Sequence, residues 1–422
     1  MQVKQLDVLI VGGGPAGLAA AIAVKEAGIN DLLILEREPQ LGGILNQCIH
    51  NGFGLHRFKV EMTGPEYAHK DIARVEELGI PYLCSTTVLD VSAERTVTAV
   101  SREHGLTRYE CGAVILAMGC RERPCGALAI SGSRCSGIFS AGTAQKYTNL
   151  MGLMPGKEIV ILGSGDIGLI MARRMTLQGA KVKAVVEIMP FSSGLNRNIV
   201  QCLNDYGIPL YLSHTVTQLH GRERLTGVTV SEVDANKKPI EGTEIYFDCD
   251  TLLLSVGLIP ENELSQGAGV ELSAITSGPV VGDDLQTNVE GVFACGNVLH
   301  VHDLVDFVSQ ESSKAGKCAV DFVRRQQKTV HKTPVLDGSG VRGVVPQFIR
   351  LAEGADCEDI QLMFRPDRIY ENVRVVVSNG EEEIYSVKKR ILAPGEMADI
   401  TLRKRIVESL KDAPITVSIK GE

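Results

Sequence analysis

A glycine-rich turn near the start of this chain stands between an apolar segment, predicted to be a strand, and a predicted helix. It reads Gly12-Gly-Gly14-Pro15-Ala16-Gly17 and follows the apolar run 6–11. In such a turn the first glycine makes the bend, the second lets the backbone approach a pyrophosphate, and the third lets the helix pack closely on the strand. Because the helix N-terminus stabilises the phosphate charge, this segment predicts a dinucleotide-binding unit.

The same plan occurs a second time in the chain. After the apolar run 158–162 the sequence reads Gly163-Ser-Gly165-Asp166-Ile167-Gly168. The interval from the first glycine to the acid that ends the next strand is the same in both copies, Gly12 to Glu36 and Gly163 to Glu187. Two matched copies predict an α/β fold class with two Rossmann-like dinucleotide-binding domains.

The two acids, Glu36 and Glu187, are each expected to bind ribose hydroxyls. A carboxylate would repel a 2′-phosphate, so Glu187 favours NAD(H) over NADP(H) in the second copy. Arg173 and Arg174 leave NADP(H) as the alternative, although both fall within the predicted helix. The remaining predicted cofactor contacts, in loops near the strand ends, are Arg37, Gly43, Gly119 and Gly257.

A third informative segment lies far downstream, where Thr287, Gly291-Val-Phe-Ala294, Gly296 and Asn297 follow one another. Together with the two glycine turns it resembles flavoproteins related to the pyridine nucleotide–disulfide oxidoreductases, whose late motif is T-x-x-x-G-V-F-A-x-G-D. The resemblance implies that FAD binds the first unit, in contact with Gly296 and Asn297, and that the NAD domain is inserted within the FAD domain. Asn297 stands where the family usually has Asp, but it still offers hydrogen bonds to the ribityl–phosphate region.

The resemblance implies three segments, and the strand and turn pattern that follows them predicts a fourth. They are the first part of the FAD-binding domain (1–153), the NAD(P)-binding domain (154–280), the second part of the FAD-binding domain (281–332) and a small C-terminal β-rich domain (335–422). At the start of the last segment, 333–340 is predicted to be a linker. Residues 373–379 and 383–387 are predicted to form a hairpin around Asn379-Gly380. Such an appendage is expected to serve assembly or partner docking.

Three further segments, 43–50, 119–124 and 137–145, resemble one branch of this family. The branch contains the small flavoprotein subunits of opine oxidase, of hydrogen cyanide synthase and of complexes with a glycerol-3-phosphate dehydrogenase-like subunit. The resemblance implies a hetero-oligomer with a second oxidoreductase subunit, either glycerol-3-phosphate dehydrogenase-like or amino-acid oxidase-like. Homodimerisation is the alternative.

Cys48 and His302 are the candidate catalytic residues. The segment around Cys48 resembles the one that carries a redox disulfide in disulfide reductases, but this chain has a single cysteine there and no CxxC, so a dithiol relay is not expected. Either Cys48 acts as a lone thiol against the flavin, or it packs without chemistry. Either His302 stabilises the negative charge of reduced flavin, or it is a loop or helix-entry histidine.

Composition argues against several classes of function. The net charge of −8 argues against a nucleic-acid partner. No apolar run reaches the roughly 18 residues of an integral membrane segment, and the apolar segment near the N-terminus is expected to be a strand rather than a secretory signal. The 11 cysteines have scattered spacing, which predicts reduced thiols in the cytoplasm and no metal site.

The predicted function is therefore an FAD-dependent NAD(P)H oxidoreductase. Hydride passes between NAD(H) and the flavin, and electrons pass between the flavin and the partner subunit. One alternative is a stand-alone NADH-dependent reductase or oxidase that acts on a small acceptor. The other is a non-catalytic scaffold subunit whose dinucleotides are structural.

Overall fold

The computed structural model describes residues 2–325, 331–351 and 359–421. The chain forms two compact units, one made of residues 1–120 and 260–422 and the other of residues 121–259. The second unit is thus an insertion in the first. Among the described residues, no helix combines the length and the apolar character that a membrane crossing requires.

The chain up to residue 120 begins with a strand, a helix and a parallel strand, as the first glycine turn predicts. Its strands are β1 (Gln2–Val11), β2 (Leu32–Leu35), β3 (Asn51–Phe53), β4 (Met62–Thr63), β5 (Tyr82–Leu83), β6 (Thr86–Val91), β7 (Thr96–Ser101) and β8 (Gly105–Leu116). Its helices are α1 (Pro15–Glu26) and α2 (Gly64–Glu77). Helix α2 begins where it does because Thr63 and Glu66 form a reciprocal capping box.

The inserted stretch repeats this plan. Its strands, with two at the passages between the units, are β9 (Cys120–Glu122), β10 (Ser131–Gly132), β11 (Ile138–Ser140), β12 (Glu158–Leu162), β13 (Lys181–Glu187), β14 (Leu210–Leu212), β15 (His214–Gly221), β16 (Leu225–Glu232), β17 (Ile245–Asp248), β18 (Thr251–Leu254) and β19 (Leu258–Pro260). Its helices are α3 (Ala141–Met151), α4 (Asp166–Leu177) and α5 (Asn196–Cys202).

The last part of the chain returns to the first unit and then becomes β-rich. Its helices are α6 (Glu263–Gly267), α7 (Val305–Arg325) and α8 (Lys404–Val407). Its strands are β20 (Val292–Ala294), β21 (His331–Asp337), β22 (Val341–Val345), β23 (Phe348–Leu351), β24 (Ile360–Pro366), β25 (Tyr370–Asn379), β26 (Glu382–Leu392), β27 (Ala398–Leu402) and β28 (Ile415–Gly421).

The main sheet of the first unit has the order β5-β2-β1-β8-β7-β6, and β20 pairs with β8. Strands β5, β2, β1, β8 and β20 form the parallel part of the sheet, whereas β7 is antiparallel to β8 and β6 is antiparallel to β7. Val8, Leu9 and Ile10 of β1 are fully buried, and each such side chain contributes about 1.5–3 kcal/mol of burial free energy. A strand buried on both faces is what the continuous apolar run 6–11 predicts.

The main sheet of the inserted unit is entirely parallel, in the order β11-β18-β12-β13-β14. A second, four-stranded sheet has the order β10-β15-β16-β17. The inserted unit spans 121–259, whereas the sequence led us to expect 154–280. The early start has a physical reason, because β11 pairs with β18 and β10 pairs with β15, and both partners belong to the insertion.

The C-terminal residues form two sheets, β23-β21-β28-β25-β26 and β22-β24-β27, around their own apolar core; we call this the C-terminal sandwich (331–351 and 359–421). The hairpin predicted around Asn379 is present as β25 and β26. The linker predicted at 333–340 is wrong, because residues up to Asp337 lie in β21. Pro334 is tolerated there because β21 pairs with β23 up to Pro334 and with β28 only from Val335 onward.

The fold class is confirmed: two Rossmann-like sheets are accompanied by a β-rich C-terminal module. None of the ten cysteines within the described ranges takes part in a disulfide bond.

Candidate cofactor sites

The glycine loop of the first unit is held by Glu36. The Gly13 N–H donates to Glu36 Oε2 at 2.7 Å, and the Glu38 N–H donates to Glu36 Oε1 at 2.7 Å. The Gly12 N–H donates to the carbonyl of Leu35 at 2.8 Å. Glu36 is 6% exposed, so its charge lies in a buried cradle of N–H donors at the carboxyl end of β2.

The inserted unit repeats these bonds position by position. The Ser164 N–H donates to Glu187 Oε2 at 2.9 Å, and the Met189 N–H donates to Glu187 Oε1 at 3.0 Å. The Gly163 N–H donates to the carbonyl of Val186 at 2.7 Å. One bond has no counterpart in the first unit, since the Ser164 hydroxyl also donates to Glu187 Oε2, at 2.6 Å.

Because of this additional bond, Glu187 has fewer acceptor positions left for a ligand than Glu36 has. An ionised carboxylate has about four acceptor positions. Glu36 accepts two N–H bonds, which leaves about two positions, one on each oxygen. Glu187 accepts three bonds, which leaves about one position, on Oε1. Glu36 can therefore accept both hydroxyls of a ribose, whereas Glu187 can accept one.

The protein's own packing explains the first and third glycines of each turn. A Cβ on Gly12 would lie 2.4 Å from the Ala117 carbonyl oxygen, and a Cβ on Gly17 would lie 1.8 Å from the Gly12 carbonyl oxygen. In the inserted unit the matching distances are 2.0 Å from Gly163 to the Ser255 oxygen and 2.5 Å from Gly168 to the Gly163 oxygen. A side chain at these positions would displace backbone.

The second glycine of each turn faces open space instead. A Cβ on Gly14 would meet nothing closer than the Gly43 Cα at 3.8 Å, and a Cβ on Gly165 nothing closer than the Ser193 Oγ at 3.7 Å. Gly14 and Gly165 immediately precede helices α1 and α4, whose first N–H groups are available to an anion. The space and the donors fit a pyrophosphate in each unit.

The loops that follow the strands carry the other predicted glycines. Gly119 and Gly257 adopt φ values of +75° and +97°, which favour glycine, and a Cβ on either would meet no protein atom within 4 Å. Gly43 lies against the first turn, because its Cβ would come within 2.9 Å of the Gly14 Cα.

The inserted unit contains a cavity of about 950 Å³ at the carboxyl ends of its parallel strands. This is the size of a small-molecule site and the place where open α/β sheets bind ligands. Gly163, Glu187 and Gly257 line it, as expected for a dinucleotide site. Two cations also line it, Arg123 and Lys237, which the sequence did not single out.

Three predicted contacts have protein partners in the structure. Arg37 is 61% exposed and forms an ion pair with Glu261 at 3.2 Å. Asp166 Oδ1 accepts the Leu195 N–H at 2.9 Å and the Asn198 side-chain amide at 2.6 Å, so it fixes the start of α5. Ile167 packs against the core of the inserted unit. Pro15 and Ala16 form the first turn of α1.

The late motif lies beside the first glycine turn. Strand β20 pairs with β8, and a Cβ on Gly296 would lie 2.8 Å from the Ala16 Cβ, so Gly296 lies against the start of α1. Asn297 Oδ1 accepts the N–H of His302 at 3.0 Å, and its side-chain amide contacts the Cys120 Sγ at 3.5 Å.

His302 does not point into open space, because its side chain is 2% exposed and its Nε2 lies 3.2 Å from Glu311 Oε1. His300 Nε2 lies 2.7 Å from Glu311 Oε2, and the Gly296 N–H donates to Glu311 Oε1 at 2.7 Å. Burial acts to raise the pKa of Glu311, but the two imidazoles outweigh it and hold that pKa below its usual range. Since an ionised carboxylate only accepts hydrogen bonds, the Nε2 atoms of His300 and His302 must each carry a proton.

His300, His302 and Glu311 bring their donor atoms within 4.8 Å of one another, a spacing that a metal ion also accepts. In the structure both imidazole Nε2 atoms bond to the Glu311 carboxylate, which also accepts the Gly296 N–H. Burial lowers the pKa of His300, with the Glu311 carboxylate acting in the opposite direction. The absence of a metal site stays a prediction.

Cys48 directly follows the short 3-10 helix Gly43–Gln47. Its thiol donates to the Ile44 carbonyl at 3.4 Å. Burial raises the pKa of Cys48 to about 12, so the thiolate that nucleophilic or redox chemistry requires is scarce at neutral pH. The raised pKa favours the packed role for Cys48, and both roles stay predictions.

Two segments that carried the branch resemblance meet in the inserted unit. Both oxygens of Glu122 accept the Gly142 N–H, at 2.8 and 2.9 Å, in the first turn of α3. Sequence reasoning missed this contact and also missed Glu311. The signal for Glu311 was a carboxylate in the middle of a helix that has apolar neighbours three and four residues away.

Comparisons with known proteins agree with this geometry. The family model described as pyridine nucleotide-disulphide oxidoreductase matches residues 6–321. The HcnB subunit of hydrogen cyanide synthase from Pseudomonas protegens is 27% identical over 63% of this chain and 59% of its own length. An opine oxidase subunit from Agrobacterium tumefaciens is 25% identical over 69% of this chain and 61% of its own length. The match thus spans about three fifths of each relative.

The crystal structure of T. acidophilum thioredoxin reductase covers 75% of this chain and 98% of its own, with a TM-score of 0.62 and 23% identity; this likeness concerns the fold. The family match spans both dinucleotide cradles and defines the class, a flavoprotein with two dinucleotide sites. The chain belongs to the pyridine nucleotide-disulphide oxidoreductase family, and it binds FAD and NAD(P)H.

Proposed function

We propose that this chain is the flavoprotein subunit of a multi-subunit oxidoreductase, in which hydride passes between NAD(H) and FAD and electrons pass between FAD and a partner subunit. FAD occupies the unit that contains Gly12 and Glu36, and NAD(H) occupies the inserted unit. The partner oxidises a small substrate and is glycerol-3-phosphate dehydrogenase-like or amino-acid oxidase-like. We also propose a cytoplasmic location, because the scattered cysteines are expected to be reduced thiols.

The observation that carries the two-site assignment is the repeated hydrogen-bond pattern around Glu36 and Glu187. A single such cradle would support one dinucleotide, and two support a donor and an acceptor in one chain. FAD is assigned to the first unit because the late motif packs Gly296 against α1 there. Bound FAD supplies the redox centre.

The residues of the chain bind and orient the two dinucleotides. The first N–H groups of α1 and α4 stabilise pyrophosphate charge, and the open space at Gly14 and Gly165 admits the phosphates. Glu36 accepts the ribose hydroxyls of FAD, and Glu187 accepts one hydroxyl of NAD(H).

The choice of NAD(H) over NADP(H) depends on Glu187. Its buried charge, fixed by Ser164 and Met189, would repel a 2′-phosphate at the ribose. Arg173 and Arg174 do not offset this, since Arg173 contacts the Tyr206 hydroxyl and Arg174 contacts Asn149.

Anaerobic stopped-flow reduction of the flavin by NADH and by NADPH tests the nicotinamide assignment. We expect NADH to reduce the flavin much faster, and Lys237→Met to leave that ratio unchanged. A faster reaction with NADPH that Lys237→Met slows would contradict the assignment and identify Lys237 as a 2′-phosphate contact.

Two observations support the partner subunit. Relatives of this chain are named as subunits of opine oxidase and hydrogen cyanide synthase. The chain also has no CxxC, and Cys48 is kept protonated, so electrons have no dithiol of that kind to reach.

Turnover of the chain purified alone, compared with turnover of the complex purified from its native host, tests the partner. We expect slow NADH oxidation by the isolated chain with oxygen or a quinone, and fast electron exchange with the substrate of the partner in the complex. Full turnover by the isolated chain as a homodimer would instead favour the stand-alone reductase. Flavin that NADH cannot reduce would favour the scaffold.

A further inference from the structure

The C-terminal sandwich has its own apolar core, yet it makes polar contacts at both ends of the late motif. On one side, Arg350 of β23 donates to the carbonyls of Gln286 and Thr287 at 3.2 and 2.9 Å, and its guanidinium lies 3.3 Å from Asp284. The Arg350 N–H also donates to Asp283 at 2.8 Å. This arginine therefore holds the segment that leads into Thr287.

On the other side, Arg365 of β24 holds the segment that follows Asn297. Its Nη2 lies 2.5 Å from Asp303 Oδ1 and donates to the Val301 carbonyl at 3.1 Å. The Met397 N–H donates to the other oxygen of Asp303 at 2.6 Å. Asp303 and Arg365 are 27% and 28% exposed, so the pair is partly shielded from water.

His302 connects the Arg365 contacts with Val301 and Asp303 to the late motif at Gly296 and Asn297. His302 lies between Val301 and Asp303, and it bonds to Asn297 Oδ1 through its N–H and to Glu311 through its ring. Glu311 in turn accepts the Gly296 N–H. The charge of Arg365 also contributes to lowering the pKa of His300, after burial as the main cause. A chain of bonds thus connects Arg365 with Gly296 and Asn297.

We propose that the C-terminal sandwich is a clamp on the late flavin motif, with Arg365 and Asp303 as positioning residues that set the place of the Gly296–His302 segment against bound FAD. This inference rests on the proposed assignment of FAD to the first unit. It gives the module a role at the cofactor itself, in addition to any contact with a partner.

The test compares Arg365→Gln and Asp303→Asn; each removes the charge of the side chain, and Asp303→Asn also keeps its size. The matched control is Arg403→Gln, because Arg403 lies in the same sandwich and pairs with Asp359 at 2.7 Å on the open surface. For each full-length variant we would measure the FAD dissociation constant of the apoprotein, the visible circular dichroism of bound flavin, the flavin midpoint potential and the thermal midpoint.

We expect Arg365→Gln and Asp303→Asn each to weaken FAD binding by roughly tenfold, the scale of one lost charge-assisted hydrogen bond, and to change the flavin dichroism and potential. The double variant should lose less than the sum of the two single variants, since both remove the shared Arg365–Asp303 pair. Arg403→Gln should match the wild type in every measurement.

Wild-type values of FAD affinity, dichroism and potential in both variants, with FAD bound, would overturn the clamp and leave the proposed function intact. Effects that simply add in the double variant would also overturn it. Failure of the wild-type chain to bind FAD would instead refute the proposed function. A stoichiometric metal ion on wild-type protein, lost in Glu311→Gln, would replace the hydrogen-bonded link by a metal site and overturn the clamp as described.

Discussion

Replacing Glu187 by Gln, with Glu36→Gln as its matched partner, separates the two dinucleotide sites. Glu187 accepts bonds from the Ser164 N–H, the Ser164 hydroxyl and the Met189 N–H. The amide of Gln can place its oxygen toward Ser164, and its NH₂ group then faces the Met189 N–H, donor against donor. The variant also loses the free acceptor position on Oε1.

The expected loss of NADH affinity can be estimated from the hydrogen bonds that Glu187→Gln removes. A hydrogen bond to a charged group contributes about 1.5–3 kcal/mol net, and about 1.4 kcal/mol corresponds to tenfold in a dissociation constant. Loss of one ribose bond to a carboxylate should therefore weaken NADH binding roughly 10–100-fold. Since Glu187 lies in the inserted unit, Glu187→Gln should leave the FAD content unchanged.

The assay is isothermal titration with NADH together with the flavin content from visible absorbance. Glu36→Gln should show the opposite result, with weakened FAD retention and unchanged NADH affinity in the apoprotein. Loss of FAD from Glu187→Gln, or unchanged NADH affinity in it, would refute the assignment of one dinucleotide to each unit.

Three further predictions concern single residues. Gly14→Ala should keep the thermal midpoint of the apoprotein but lose FAD affinity, since its Cβ fits the protein and not a pyrophosphate. Gly17→Ala should lower the thermal midpoint of the apoprotein itself, because its Cβ would overlap backbone. Equal apoprotein stability of the two variants would contradict this prediction. Cys48 should react with iodoacetamide about a thousandfold more slowly than a thiol of ordinary pKa, because its pKa is raised from 9.0 to about 12; labelling at an ordinary rate would contradict the burial argument. Burial raises the pKa of Asp284 from 3.8 to about 6, so the folded state binds the proton more tightly than the unfolded state, and stability falls as pH rises through that window. The wild type should accordingly lose up to about 3 kcal/mol relative to Asp284→Asn between about pH 4 and 6.5, seen as a falling difference in thermal midpoint; a constant difference would contradict it.

The sequence predicts the two nucleotide units because their determinants are local. Gly12, Gly17 and Glu36 lie within one strand–turn–helix–strand segment, and the bonds among them depend on backbone close in the chain. The same holds for Gly163 to Glu187. Local patterns of this kind translate directly into geometry.

The features that the sequence does not predict depend on contacts between segments that are far apart in the chain. Glu311 gains its role only because Gly296 and His302 fold back onto α7. The start of the inserted unit depends on the pairing of β11 with β18, more than a hundred residues later in the chain. The linker prediction at 333–340 failed because Pro and Gly residues suggested a loop, while the pairing partners of β21 lie elsewhere in the sandwich.

Anaerobic titration of the purified chain with NADH tests whether hydride passes from NADH to the flavin within this protein. We expect about one FAD per chain and complete bleaching of the flavin by about one NADH, which supplies two electrons, with no further pair taken up by a disulfide. Flavin that stays oxidised under excess NADH would contradict the claim that the chain passes hydride between the two dinucleotides. Uptake of four electrons per flavin would contradict the claim that it works without a dithiol relay.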